Sequence, residues 1–456
     1  MKRVMCNRSV LVLLAVAIGA SWDAMPASAQ TMIGLGTLPG ATYRYSQALG
    51  VSRDGSTVVG TSINGQEHFE AFAWTASTGM VGLGFLPGSS VVSSATGVSA
   101  DGSTVVGSSE NAAGHNEAFI WTAANGMVGL GILPGYSFSA ATGVSADGST
   151  IVGWSGNSQG HSEAFIWTAA TGIVGLGFLP SGIDSFAAAI SADGSTVVGD
   201  SNLGPFLAED GNEYDVHEAF KWTEASGMVG LGTLPYLSPW SRGMAVSENG
   251  STVVGQSIEY TQGFTAFHWT AATGMIGLGS LPIAPFPYSN ALGVSADGST
   301  VVGSSLNSEN LDEAFVWTSA SGMTGLGTLP GDLHSRATGV SGDGMIAVGY
   351  SFDAAGFNEA FLVQLKLPTP SELVTALIEQ VLGLNLQHGI ENSLDSKLDA
   401  AFRALDDVNE NNDIAAINAL DAFINAVRAQ RGRHIPAAAA DALIAAALEI
   451  VELLGE

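Results

Sequence analysis

The chain has 456 residues, of which 46% are hydrophobic, 12% are charged and 59 are glycine. This is ample apolar material for a large core, and with no Gly-X-Y period it excludes wholesale disorder and collagen. Fourteen Lys and Arg against 42 Asp and Glu give a formal net charge of −28, which opposes a broad electrostatic grip on nucleic acid or anionic membranes.

Residues 1–29 read as a secretory signal peptide. Lys2, Arg3 and Arg8 form a positive start, residues 11–20 an apolar stretch, and Ala27, Ser28 and Ala29 a small-residue cleavage site. Export to the cell surface or beyond is the expected location. The single cysteine, Cys6, falls in this segment, so the exported chain is held by packing rather than disulfides. No later stretch offers the roughly 20 apolar residues of a membrane span.

Self-similarity dominates residues 31–365. The motif EAFxWT or a near copy places Trp74, Trp121, Trp167, Trp222, Trp269 and Trp317 at equivalent points, with Val363 in the seventh copy. VSxDGSTVVG runs from Val51, Val98, Val144, Ile190, Val246, Val294 and Val340, and GLGxLP begins at Gly34, Gly82, Gly129, Gly175, Gly230, Gly277 and Gly325. Each repeat parses into four strands, in the second repeat residues 95–99, 104–108, 117–122 and 127–130, with Asp101-Gly102 and Asn125-Gly126 as turns. Seven such units predict an all-β seven-bladed β-propeller over residues 30–366. The chain starts with an unpaired fourth strand at 32–36 and its last repeat stops after the third, so the N-terminal strand is expected to complete the final blade.

From residue 367 the composition shifts to helix formers. Thr369-Pro370-Ser371-Glu372 forms a capping box, and apolar residues then recur at helical spacing, including Leu394, Leu398, Phe402; Ile414, Ile417, Leu420, Ile424; and Leu443, Ala447, Ile450. A small C-terminal α-helical bundle of four helices, residues 367–456, is the reading.

The EAFxWT repeats, with one TAFHW copy at 265–269, resemble the extracellular repeat family named for its HAF motif. The last copy departs from the pattern at Val363. The C-terminal module resembles the FIMAH type of helical domain through Leu384-Asn385-Leu386, Asn392-Ser393-Leu394, the run 415–420 and Phe423-Ile424-Asn425-Ala426-Val427. Together these resemblances imply a secreted, modular protein and no particular reaction.

No GxSxG nucleophile elbow leading from a strand into a helix is present, and no HExxH, CxxC or Walker motif. GLGxLP recurs seven times without a following helix, so it reads as scaffold. The recurring tryptophans read as packing between blades. Six of seven third strands open on Glu (70, 117, 163, 218, 313 and 359); these could ring a cation, but outer strands lie too far apart to share one, so hydrogen-bonding roles are expected. In the helical module Asp407, Asn409, Asn411 and Asp413 have the spacing of a calcium-loop start, yet Asn412 stands at the turn glycine and Asn418 at the bidentate glutamate, which favours capping of the next helix. The longer fourth repeat carries Glu209, Asp210, Glu213, Asp215 and His217. A solvated acidic loop is the default there and a calcium site the alternative; no cofactor is otherwise expected.

Comparing the repeats points to one end of the ring. The Asp-Gly turns hardly vary, whereas the loops before the first and third strands differ from blade to blade. Ser46, Ser93, Ser139, Ser185, Ser241, Ser289 and Ser335 mark the entrance to each inner strand, preceded by Tyr45, Phe138, Trp240, Tyr288 or His334 in five repeats. Tyr43, Tyr136 and Tyr236 lie in the same loops, as do Arg44, Arg242 and Arg336. Trp240, Ser241, Arg242, Arg336, Arg44, Tyr45 and Tyr288 are therefore the candidate ligand-binding residues, rings and guanidiniums suiting hydroxylated or acidic ligands. The alternative for the same residues is packing between blades with each arginine paired to an acid. The expected function is that of a monomeric, secreted, non-catalytic binding protein for an extracellular glycan, acidic polymer or surface protein. A polysaccharide hydrolase or lyase with an axial pocket is the runner-up.

Overall fold

A computed structural model describes residues 31–207, 213–234, 240–259, 263–282, 284, 288–365, 369–384, 386–406 and 412–454. Residues 1–29, read from sequence as a signal peptide, lie outside these residues, as do Glu209, Asp210, Tyr236, Lys366, Asp407, Asn409 and Asn411. The described chain falls into two compact units, a propeller and a helical module.

The propeller is seven four-stranded antiparallel sheets, each meandering from inside outward. Blade 2 consists of Ser93–Val98, Thr104–Glu110, Asn116–Thr122 and Gly126–Gly131, within two residues of the strand bounds read from sequence. Blade 7 is closed by the other end of the chain: Met32–Gly34 pairs with Asn358–Gln364, Met32 opposite Val363 and Gly34 opposite Phe361. Elsewhere the tryptophan of EAFxWT faces a methionine or isoleucine of the fourth strand, as Trp121 faces Met127. The Val363–Met32 pair occupies that same register.

Sequence repetition becomes structure through a few recurring jobs. The inner-strand serine is fully buried in every blade. Ser93 Oγ accepts from Ala71 N at 2.9 Å and donates to Gly84 O at 2.7 Å, both in the preceding blade. At the closing seam Ser46 does the same with Ala360 N and Gly36 O. The third-strand glutamate explains the two glycines of GLGxLP. A Cβ on Gly129 would lie 2.3 Å from Glu117 Oε1, while Gly131, at φ 90°, donates its N–H to that oxygen at 3.1 Å. The other carboxyl oxygen takes the Asn111 amide at 2.9 Å. These carboxylates are thus used separately, one in each of six blades.

Apolar burial lies at the seams between blades. Val59, Ala71, Leu83 and Leu86 of blade 1 pack with Ala95, Val105, Phe119 and Met127 of blade 2. The centre of each seam is phenylalanine: Phe72, Phe119, Phe165, Phe220, Phe267, Phe315 and Phe361 are fully buried. The six tryptophans pack against these same seam clusters, as their recurrence suggests, but are only partly buried, so phenylalanine holds the centre and tryptophan the rim.

At the turn end, one residue of each Asp-Gly turn, and of the Asn249-Gly250 turn of blade 5, donates its N–H to the same residue of the following blade. The bonds run from Arg53 through Ala100, Ala146, Ala192, Glu248, Ala296 and Gly342, and return to Arg53, at 2.7 to 3.3 Å. Arg53 also reaches Glu248 Oε2 at 3.0 Å. Blades 1 and 5 are not neighbours, so this ion pair crosses the axis.

Within these turns the Ser99 hydroxyl, followed by the Ser103 amide and hydroxyl, holds the Asp101 carboxyl down to about 2, and Ser145 does the same for Asp147. Asp54 and Asp193 are lowered too, chiefly by the Ser56 amide and the Ser191 hydroxyl. Groups lowered on folding stabilise the native state above their unfolded value of about 3.9, and that contribution is lost as pH falls through the folded value. The melting temperature should therefore decline between about pH 4 and pH 2. Asn249 makes the same hydroxyl and amide contacts in blade 5, so a variant with Asp101→Asn and Asp147→Asn should fold and show a shallower decline in thermal melts across that range.

The helical module consists of α1 (Pro370–Gly383), α2 (His388–Asp406), α3 (Asp413–Gln430) and α4 (Ala437–Leu454). The expected capping box is present: Thr369 accepts from Glu372 N, and the Glu372 carboxylate takes Thr369 N. Leu377, Leu398, Leu420, Phe423 and Leu443 build its core. Ile414, read as part of the apolar face, is 74% exposed, and Ala416 takes the buried place instead. Asn412 precedes α3 without a side-chain cap bond, so among the described residues the expected capping of that helix is not made.

Candidate functional site

Antiparallel order puts the starts of the first and third strands, and the end of the second, at one end of every blade. This is the loop-side mouth, and all the candidate binding residues fall there. Ser241 is not free to bind: it is fully buried, accepts from Ala219 N at 2.9 Å and donates to Gly232 O at 2.7 Å. Its assignment to a ligand is corrected to scaffold, since it does the work of every other inner-strand serine.

The rings form chains across seams. Trp240 lies between His217 of blade 4, 6.0 Å between centroids, and Phe264 of its own blade at 4.8 Å, and Phe264 leads on to Tyr288 at 6.0 Å. Tyr45 packs edge-on against Phe69 at 4.9 Å. Phe138, Trp154 and Phe186 make a second chain over blades 3 and 4. Tyr136 donates to Glu163 at 3.1 Å, and burial followed by that carboxylate pushes its hydroxyl up to about 12. Tyr43 is exposed beside Phe357.

Each arginine is already engaged by an acid. Arg242 lies over the Trp240 ring at 5.1 Å, with Nε 3.4 Å from Asp200 Oδ2. That is within ion-pair reach but outside hydrogen-bond geometry, and the Nε has no hydrogen-bond partner. The same Asp200 oxygen is 2.7 Å from His217 Nδ1. Arg336 donates to Asp312 at 2.5 Å. Arg44 donates to Asp332 at 2.5 Å, to Glu359 at 3.4 Å and to Phe357 O at 3.1 Å, and the Asp332 hydrogen bond is the main reason its guanidinium is raised above the usual value. Asp353 adds a third carboxylate at 3.7 Å. Even so, Arg242 and Arg336 remain 38% and 41% exposed. A shallow cleft lined by Thr37, Thr42, Tyr43, Arg44 and Glu359 opens beside the last of these clusters.

The fourth-repeat insertion is not a loop over most of its length. It extends a hairpin of Thr196–Leu207 and Glu213–Thr223, pairing Pro205 with Asp215 and Leu207 with Glu213. His217, at its base, is turned to Asp200. Glu209 and Asp210 lie outside the described residues, and among the described residues no group of three or more metal-ligating side chains occurs.

Sequence reading missed Asp200, Gln256 and Asn290, which stand on strands rather than loops. Aligning the repeats one residue past the entrance serine, and directly across on the second strand, was the available signal. Those two positions read Gln47, Ser94, Ala140, Phe186, Arg242, Asn290, Arg336 and Thr61, Ser108, Trp154, Asp200, Gln256, Ser304, Tyr350, as variable as the loops.

The architecture is that of a seven-bladed β-propeller. No family model matches the chain, and no curated protein does. Among solved structures it is similar to TolB from Acinetobacter baumannii, at 12% identity and a TM-score of 0.41 over 60% of this chain and 63% of that one. It is also similar to a prolyl endopeptidase, at 13% identity and 0.46 over 72% and 51%, and to a putative TolB from Agrobacterium tumefaciens, at 13% and 0.38 over 59% and 89%. The chain spans less than two thirds of the first of these. No described helix is long and apolar enough to cross a membrane.

Proposed function

We propose that this chain is an exported, non-catalytic binding protein that receives an extracellular glycan or acidic polymer at the loop-side mouth of its propeller. The observation that carries this reading is the contrast between the two ends of the ring. Turns repeat one design seven times, while the mouth changes its side chains at every blade, the pattern of a scaffold with a recognition surface. The part-exposed guanidiniums of Arg242 and Arg336, with Trp240 under the first and Tyr45 and Tyr288 at the same mouth, supply donors and ring faces of the kind that hold sugars. The signal-peptide pattern and the resemblances to HAF repeats and FIMAH-type domains support the extracellular setting.

One observation favours a second reading as polysaccharide hydrolase or lyase: a carboxylate-held imidazole, Asp200 with His217 at 2.7 Å, is an arrangement used for general base work. The test is a glycan array probed with the exported form, followed by turnover assays on every hit. Trp240→Ala and Arg242→Ala should each weaken binding by about 1 kcal/mol or more, in proteins whose melting temperature is checked in parallel. Binding without product supports the binding protein; cleavage abolished by Asp200→Asn in a folded variant supports the enzyme. Retention of no glycan or acidic polymer overturns both.

A further inference from the structure

We propose that the ligand of this mouth is a neutral, polyhydroxylated glycan, held over blades 5 to 7 by an arc of polar side chains. The inference rests on the reading of the mouth as a binding site and narrows it. Among the described residues, eight buried side-chain atoms lack a hydrogen-bond partner, and four of them are Arg242 Nε, Gln256 Oε1, Asn290 Oδ1 and Arg336 Nε. The other four, on His68, Ser89, His268 and Asp395, are scattered. The first four share one level of three consecutive blades: Arg242, Asn290 and Arg336 each follow the entrance serine, and Gln256 stands directly across from Arg242.

At the same level in blades 1 to 4 no described side chain holds a buried atom without a partner. Thr61 donates to Ser93 O, Asp200 meets His217, and Trp154 packs against Phe186 at 5.4 Å. A buried polar atom without a partner costs stability. Its concentration on one arc is accounted for by a ligand that brings the missing partners. Each orphaned atom is covered, but the two arginines reach solvent, so engagement takes only rotation about side-chain torsions.

The chemistry of that ligand follows from the arc. It offers guanidinium donors and amides, and an amide presents a donor and an acceptor whichever way it is turned. Hydroxyl groups answer both. A polyanion does not: Asp200 and Asp312 already neutralise Arg242 and Arg336, further carboxylates stand at the rim on Asp184, Asp332, Asp353 and Glu359, and the whole chain carries −28. The Trp240 ring, under Arg242 at 5.1 Å, and the Phe264 and Tyr288 rings that follow it on blades 5 and 6 add apolar surface for the C–H face of a sugar.

The experiment is titration calorimetry of the exported form with maltohexaose, cellohexaose and mannohexaose, against hexagalacturonate and hexamannuronate, at about 50 and about 500 mM NaCl. At least one neutral hexasaccharide should bind with a Kd that changes less than about twofold between the two salt conditions. A Gln256→Met, Asn290→Leu variant removes two orphaned acceptors without stranding a partner. Its melting temperature should hold or rise while binding weakens by about tenfold or more. If that variant melts lower, Gln256→Met alone is judged by the same loss. Neutral binding that survives the substitutions overturns the arc. Salt-dependent binding of the acidic hexamers alone overturns the neutral ligand and leaves the mouth as a binding site. Binding of none of the five removes the mouth as well.

Discussion

Phe165→Ala is expected to destabilise the propeller by about 3–5 kcal/mol, the range for truncating an aromatic ring in a closed core. Phe165 is fully buried and fills the seam between blades 2 and 3, against Val106, Ala118, Leu130 and Leu133. Its Cα faces Gly153 on the second strand, where a built Cβ would come within 2.8 Å of the ring and 2.0 Å of the Ala140 carbonyl oxygen. Backbone that close cannot collapse into the space a missing ring leaves, so the cavity term persists. Trp167→Ala should cost less, because Trp167 is only partly buried at the rim of the same seam. Denaturant unfolding of the two variants beside the parent decides the order, and a tryptophan variant weaker than the phenylalanine one would reverse the assignment of the seam core.

Deleting residues 31–36 is expected to cost about as much, by another route. Met32 and Leu35 are buried on opposite sides of the closing blade, Met32 with Val363 and Leu329, Leu35 with Phe72 and Val348. At about 1.5–3 kcal/mol for each large apolar side chain, their loss alone removes about 3–6 kcal/mol. The deletion also frees the edge of Asn358–Gln364, takes away the Gly36 carbonyl that Ser46 bonds, and removes the Gly36 N–H that donates to Glu359. An exposed strand edge templates association, so self-association on a sizing column should accompany a melting temperature several degrees lower. An unchanged melting temperature would show that the first strand does not close the ring.

The number of blades was readable because each repeated residue does one repeated job. The entrance serine, the third-strand glutamate and the turn aspartate recur as bonding partners, and periodicity records this directly. Depth was less readable. Phe and Trp recur with the same period, two residues apart on one strand, and nothing in the spacing ranks one as seam centre and the other as rim. Partners across seams were hidden too. Arg242 finds Asp200 and Arg44 finds Asp332 only because blades 4 and 5, and blades 7 and 1, are adjacent in the ring. The acidic insertion read as a loop because its composition is polar, yet a hairpin protruding from a sheet can form a ladder without an apolar face. The polar arc was missed for a related reason, since variation was sought in loops and the varying residues stand at strand ends.

The circle of turn amides from Arg53 to Gly342 and back has no first or last member. A linear stack of repeats always has two terminal units with a single neighbour each, and these loosen before the middle does. In a circle whose bonds all run in one sense, every donor is also an acceptor, and no position is a natural place for fraying to begin. The one discontinuity is covalent, between blades 7 and 1, where the first and last strands of the propeller share a sheet. Opening the wheel anywhere else requires parting two continuous blades, so the molecule resists loss of a single blade as a hoop resists loss of a single stave.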